Sequence, residues 1–105
     1  MIYSHRSYLK DAPAHLEPRN ACLARNLARA VPSAIRMDRP WSAAAISASD
    51  DYGENGYALM PAAILEVAFH TNATDGAALQ QPSFREAVAR GVVTALEAFF
   101  QQPNC

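Results

Sequence analysis

Apolar and polar positions alternate with a helical period in two stretches of the chain. From Pro18 to Val31, Leu23, Leu27 and Ala30/Val31 fall at i, i+4 and i+7/8, while Arg25 and Arg29 lie on another face. Pro18 suits the first helical position and Pro32 reads as the stop. Near the C-terminus, Phe84, Val88, Val92, Leu96 and Phe99 form a second apolar stripe. Ser83 and Glu86 have the spacing of a capping box at its start.

Between these helices the pattern changes. Ile64 to Phe69 is a nearly continuous apolar run with one charge inside it, the pattern of a strand buried on both faces. Thr71, Asn72, Thr74 and Asp75 then supply turn and cap chemistry for a short helix, Asp75 to Leu79. Ile2 and Tyr3 predict a short strand that gives way to a polar loop. Lys10 to Glu17, with Pro13 inside and Pro18 after it, reads as loop. Ser33 to Tyr57 is the least patterned stretch, a long loop holding a weak element around Trp41 to Ile46. Helix, loop, strand and helix in this order predict an α/β layered domain, a partial open mixed or parallel sheet flanked by helices.

The length of 105 residues limits the chain to one small domain, and its 50% apolar and 18% charged content is that of a globular protein. A net charge of −1 gives no electrostatic reason to expect nucleic acid or an anionic membrane as partner. Arg19, Arg25, Arg29, Arg36 and Arg39 read as a solvated helix face and its loop. No segment reaches transmembrane length, and MIYSHRSYLKD has no apolar run long enough for a signal peptide. Taken literally, the chain stays in the cytosol. Two cysteines are too few for a disulfide framework or a cysteine zinc site. Cys22, among apolar helix positions, reads as a small core residue. Cys105, the last residue, reads as disordered. A single bridge between them can form, but no pattern calls for it.

Glu66 is the residue that breaks its surroundings. A carboxylate inside Ile-Leu-Glu-Val-Ala-Phe is expected to be buried, and burial without a partner is costly. It is therefore expected to pair with an arginine or a metal site, to be protonated, or to face a cavity. Near the C-terminal end of a strand it would sit where open α/β sheets place their active sites. Burial would also move its pKa toward the range useful to a general acid or base. Taken alone, the position is explained more simply by a structural Glu–Arg pair.

The residues around Glu66 bear on that choice. The run Pro61-Ala62-Ala63-Ile64-Leu65-Glu66-Val67-Ala68-Phe69-His70-Thr71-Asn72, with Asp75 and Leu79 following, resembles the last strand and turn of zinc-dependent N-acetylmuramoyl-L-alanine amidases. The helix opened by Pro-Ser-Phe-Arg-Glu resembles that family's final helix. The Leu23-Ala24-Arg25 helix is similar to the one before it, without the usual Ser. The resemblance is specific from Pro61 to Phe100 and only suggestive from Arg19 to Val31.

It implies that residues 1–105 are the C-terminal half of an amidase catalytic domain. It further implies that Glu66 is the catalytic glutamate, acting beside a zinc ion on the bond between N-acetylmuramic acid and L-alanine of the peptidoglycan stem peptide. The metal would lower the pKa of a bound water, and the carboxylate would take the water proton and pass it to the leaving amine. The full-length enzyme would then work in the cell envelope or outside the cell.

The family's zinc ligands are a His in a D-x-G-H-G-G-like turn, a Glu soon after, and a His commonly in S-x-H-x-N. All precede the matched segment, and this chain has neither the turn nor the Glu. Ile-Tyr-Ser-His puts His5 in a loose likeness of S-x-H. The seventeen residues between His5 and Leu23 leave no room for the strand the family places there. Met1 to Ser4 then reads as a remnant of that strand, with His5 in the loop. Glu66 and His70 would be roughly 13 Å apart on a strand, so His70 reads as a loop residue rather than a co-ligand. His15 carries no signal. No zinc ligand is therefore assigned within the chain, and the isolated chain is expected to be inactive. Two other classes remain: a catalytically inactive α/β module that binds peptidoglycan or a protein partner, and a zinc exopeptidase-like hydrolase with Glu66 again as base.

Overall fold

The computed structural model describes residues 1–5, 8, 16–42 and 45–105. The loop expected from Lys10 to Glu17 and the neutral reading of His15 fall almost entirely outside the described residues.

The first helix, α1 (Leu16–Arg36), is longer than the apolar stripe predicts: Leu16 and Glu17, expected in the loop, open it ahead of Pro18, and Pro32 does not end it. A proline inside a helix forfeits one backbone hydrogen bond and crowds the preceding turn, at about 3 kcal/mol. Here Pro32 and Ile35 are both buried, so the extra turn gains apolar burial that offsets the loss. Glu17 in the first turn and Arg36 in the last complement the helix dipole. Leu16, Cys22, Leu23, Ala24, Leu27, Ala30 and Val31 are buried as well, on a face wider than one neighbour needs.

One of its neighbours is α4 (Pro82–Phe100). Pro82 begins the helix and Gln81 is its N-cap without a side-chain hydrogen bond, so the Ser83–Glu86 capping box is not used. Phe84, Ala87, Gly91, Ala95 and Phe99 are the buried positions. Val88 and Val92 pack at the margin of the core, and Leu96 of the predicted stripe lies outside it. The small residues at 87, 91 and 95 let the two helices approach closely. A Cβ on Gly91 would lie 2.6 Å from the Val31 Cα and 3.1 Å from the Ala30 carbonyl oxygen.

Arg19 and Arg39 are only half exposed. Arg19 lies over the Phe99 ring at 3.7 Å and donates to the Phe99 and Gln102 carbonyls, and Arg39 sits 5.3 Å from the Phe84 ring centre. The reading of the arginines as a solvated face holds for Arg25, Arg29 and Arg36, which are exposed.

Cys22 and Cys105 form a disulfide with Cα atoms 5.7 Å apart, which ties the end of the chain to α1. The expectation of a disordered Cys105 is therefore corrected. Asn26 donates to the Cys22 carbonyl at 3.0 Å and to Gln102 Oε1 at 3.2 Å, holding the same corner together.

The extended part of the structure is small. β1 (Ile2–Tyr3) pairs in parallel with β2 (Ser47–Ala48), with Ile2 opposite Ser47 and Tyr3 opposite Ala48. The short strand read at Ile2 and Tyr3 is thus present. A four-residue helix, α2 (Gly53–Gly56), follows β2, and its Asn55 side chain donates to the Ile2 carbonyl at 3.2 Å.

The layered α/β sheet predicted from the sequence is not what forms. The run Ile64–Phe69 pairs at one position, an antiparallel bridge between Ile2 and Ile64 with N–O distances of 3.0 and 2.8 Å. The fold is mostly helical, with a two-strand parallel sheet of two residues per strand. A continuous apolar run supplies side chains for a buried strand but not the neighbouring backbone that a ladder requires. β1 is too short to provide it beyond Ile64. The run is also half-buried rather than enclosed: Leu65 and Val67, with Ala63 just before them, pack against the core, and Phe69 is exposed.

Candidate functional site

Four points fix the segment that carries Glu66. Asn20, buried on α1, accepts from the Ala62 N–H at 2.9 Å and donates to the Ser4 carbonyl at 3.4 Å. Its amide thereby stands in for the backbone pair that would follow Ile2–Ile64. The Ile2–Ile64 bridge is the second point. At the far end, the Phe69 N–H donates to Asp75 Oδ2 at 3.0 Å. The last point is the cap of α3 (Ala73–Leu79), where Asn72 accepts from the Asp75 N–H at 3.0 Å. The predicted short helix is thus present, two residues longer at its start. Gly76 permits the tight turn before it, since a Cβ there would lie 2.9 Å from the His70 carbonyl oxygen.

Held this way, Leu65 to Phe69 form one wall of a groove of about 730 Å³, within the usual range for small-molecule sites. Val31, Pro32 and Ile35 of α1 line it, and Pro40, Trp41 and Ser42 come from the loop after that helix. The Trp41 ring is fixed against Phe84, centroids 4.9 Å apart, and its carbonyl accepts from Arg36 Nε at 2.8 Å. Thr74 and Asp75 close the end nearest α3.

Glu66 lines this groove but is exposed, not buried. The burial and the arginine partner expected for Glu66 are therefore both corrected. Among the described residues no arginine pairs with it. The remaining alternative, a carboxylate facing a cavity, is the one observed. Asp75 is engaged with the Phe69 backbone, so Glu66 is the carboxylate left available to a bound molecule. The chemistry on offer is one carboxylate beside an apolar, partly aromatic floor, with the Ser42 and Thr74 hydroxyls as further polar groups.

Neither His5 nor His70 joins it. His5 is exposed, edge-on to Tyr3 with ring centroids 5.6 Å apart, and its backbone N–H donates to Asp50 Oδ1 at 2.9 Å. His70 is exposed in the turn before α3. Among the described residues no group of three or more His, Cys, Asp and Glu could hold a metal ion. The described residues therefore do not fit a catalytic zinc, which takes about three protein ligands.

Comparison with protein families, curated proteins and solved structures returns no match for the chain. Among the described residues no helix is long and apolar enough to cross a membrane.

From the sequence Thr74 reads only as turn chemistry and Trp41 only as the edge of a weak element, and Ser42 carries no signal of its own. Trp41 stands in the least patterned stretch, and only its being the single tryptophan marks it.

Proposed function

We propose that the chain is the C-terminal portion of a peptidoglycan amidase and that Glu66 is its general base. The observation that carries this reading is the position of Glu66: an available carboxylate on the wall of a groove, within the run from Pro61 to Asn72 that resembles the amidase motif. Glu66 takes the proton of an attacking water and hands it to the amine of L-alanine as the lactyl amide breaks. The apolar floor of Val31, Pro32 and Ile35 and the Trp41 face receive the less polar part of the muramoyl-peptide. Zinc ligands are not supplied by the described residues, so no metal-dependent step is assigned to this chain.

Two further features support a portion of a larger catalytic unit. No hydrogen bond is made by the backbone of Leu65 to Ala68 among the described residues, which leaves a free edge of the kind other strands cover. The Cys22–Cys105 disulfide fits an oxidising compartment and hence an exported enzyme.

The inactive binding module draws on the same groove. Titration of a soluble muramoyl-peptide into isotope-labelled chain tests binding in either case. Shift changes confined to Trp41, Leu65, Val67 and Thr74 are expected, and an equal response from a glucosamine oligomer without a stem peptide would count against a peptide-bearing substrate.

A further inference from the structure

The α4 helix is apolar on two opposite sides. One side, centred on Phe84, Gly91 and Ala95, is buried against α1 and the core. On the other side Ala89, Val93, Leu96 and Phe100 recur at intervals of four, three and four residues. At about 100° per residue these four occupy a stripe roughly 60° wide, about 150° away from the centre of the buried face. Val93 is 55% exposed, Leu96 37% and Phe100 74%. Ser83, Glu86, Arg90, Thr94 and Glu97 make the polar side between the two apolar ones. Among the described residues α1 and α3 pack on α4 without covering the outer apolar stripe. The 4-3-4 spacing is that of a coiled-coil seam.

We propose that this stripe docks against the same stripe of a second copy of the chain, with the two α4 helices antiparallel and the twofold axis between Val93 and Leu96. Val93 then meets the partner's Leu96, and small Ala89 meets the partner's Phe100. Charge selects the orientation. Arg90 and Glu97 each follow a seam residue by one position, on the flank facing away from α1. Antiparallel pairing sets Arg90 beside the partner's Glu97, and does so twice. A parallel arrangement would set Arg90 level with the partner's Arg90 and form neither pair. Arg90 forms an exposed ion pair with Asp38 at 3.7 Å, with side chains 57% and 48% exposed. A pair so open to water is weak enough to exchange for the partner's Glu97. A net charge of −1 per copy opposes the association weakly.

The seam exposes roughly 300 Å² of apolar side chain per copy, well below the ~800 Å² per partner of a standard interface. The dimer is accordingly weak, with a dissociation constant on the order of 10–1,000 μM.

Sedimentation of the full chain, disulfide intact, from about 10 μM to about 1 mM tests this. The dimer fraction is expected to rise with concentration. Arg90→Glu and Glu97→Arg should each weaken association by about fivefold or more, because each turns two attractive pairs into repulsive ones. An equimolar mixture of the two variants should associate as the parent does, since the mixed pair restores both contacts, and the double variant should do the same. Phe100→Ser should remain monomeric with an unchanged circular dichroism spectrum. A chain still monomeric at the highest concentration would overturn the proposal, as would a dimer indifferent to both charge reversals or a mixture that fails to recover.

Discussion

Gly91→Ala puts two physical effects in direct competition. In an exposed helix interior, alanine in place of glycine stabilises by about 1 kcal/mol, because glycine loses more backbone entropy on folding. At position 91 the added Cβ lies 2.6 Å from the Val31 Cα, 3.1 Å from the Ala30 carbonyl oxygen and 3.2 Å from a Val31 methyl. The nearest atom belongs to the α1 backbone, so no side-chain rotation relieves it and the helices must separate. Overpacking of this kind costs about 1–3 kcal/mol, and separation also loosens Ala87 and Ala95, which are fully buried on the same line. The two terms cancel at the lower limit and leave about 2 kcal/mol of destabilisation at the upper. Backbone contact sets the balance toward the upper limit, which for a domain of this size lowers the melting temperature by about 8–16 °C. Thermal unfolding followed by circular dichroism, with the disulfide intact in both samples, reads the difference. A melting temperature raised by the substitution would refute the close approach of α1 and α4 at this point.

Other outcomes follow from the same contacts. Cys105→Ser removes a cross-link spanning 83 positions and should lower stability by about 4–5 kcal/mol on the loop-closure argument. Urea unfolding with and without reductant checks it, and coincident midpoints would contradict a formed bridge. Asn20→Ala removes the acceptor of the Ala62 N–H and one donor to the Ser4 carbonyl and should cost about 1–3 kcal/mol. Faster amide exchange across residues 62–69 should accompany that loss, and exchange unchanged there would argue against Asn20 as the anchor. Glu66→Gln, at an exposed position, should leave the unfolding midpoint within about 0.5 kcal/mol of the parent. A large loss would show that the carboxylate holds the fold rather than serving a ligand.

The helices were legible where apolar periodicity and burial coincide. Leu23, Leu27 and Val31 point into the core as their spacing predicts, and Phe84 and Phe99 do so in α4. Asn72 and Asp75 announced the start of α3 through their cap chemistry. The sheet was not legible, because a run such as Ile64–Phe69 specifies what its side chains want and not which backbone lies beside it. Pro32 misled for a related reason: local propensity favours a stop, and the burial of Ile35 outweighs it. Glu66 was found from its anomaly in an apolar run, yet the inference of burial failed, because an extended segment bridged at one residue leaves its outer side open. Trp41 and Ser42 reach the groove only through the turn that Arg36 and Phe84 hold in place, a tertiary arrangement with no local pattern. Leu96 read as core because it falls near the edge of the stripe, and the structure turns it outward with Val93 and Phe100.

The role given to Glu66 is tested most directly by cleavage in a complete site. The chain would be joined in frame behind the N-terminal half of a zinc-dependent amidase that carries the D-x-G-H-G-G turn and the remaining ligands, and assayed on muramoyl-peptide with zinc content measured in the same sample. Release of L-alanine-terminated peptide is predicted, with Glu66→Gln binding as much zinc but cleaving at least about a hundredfold more slowly. Equal cleavage by the Glu66→Gln fusion would contradict the assignment of Glu66 as the base.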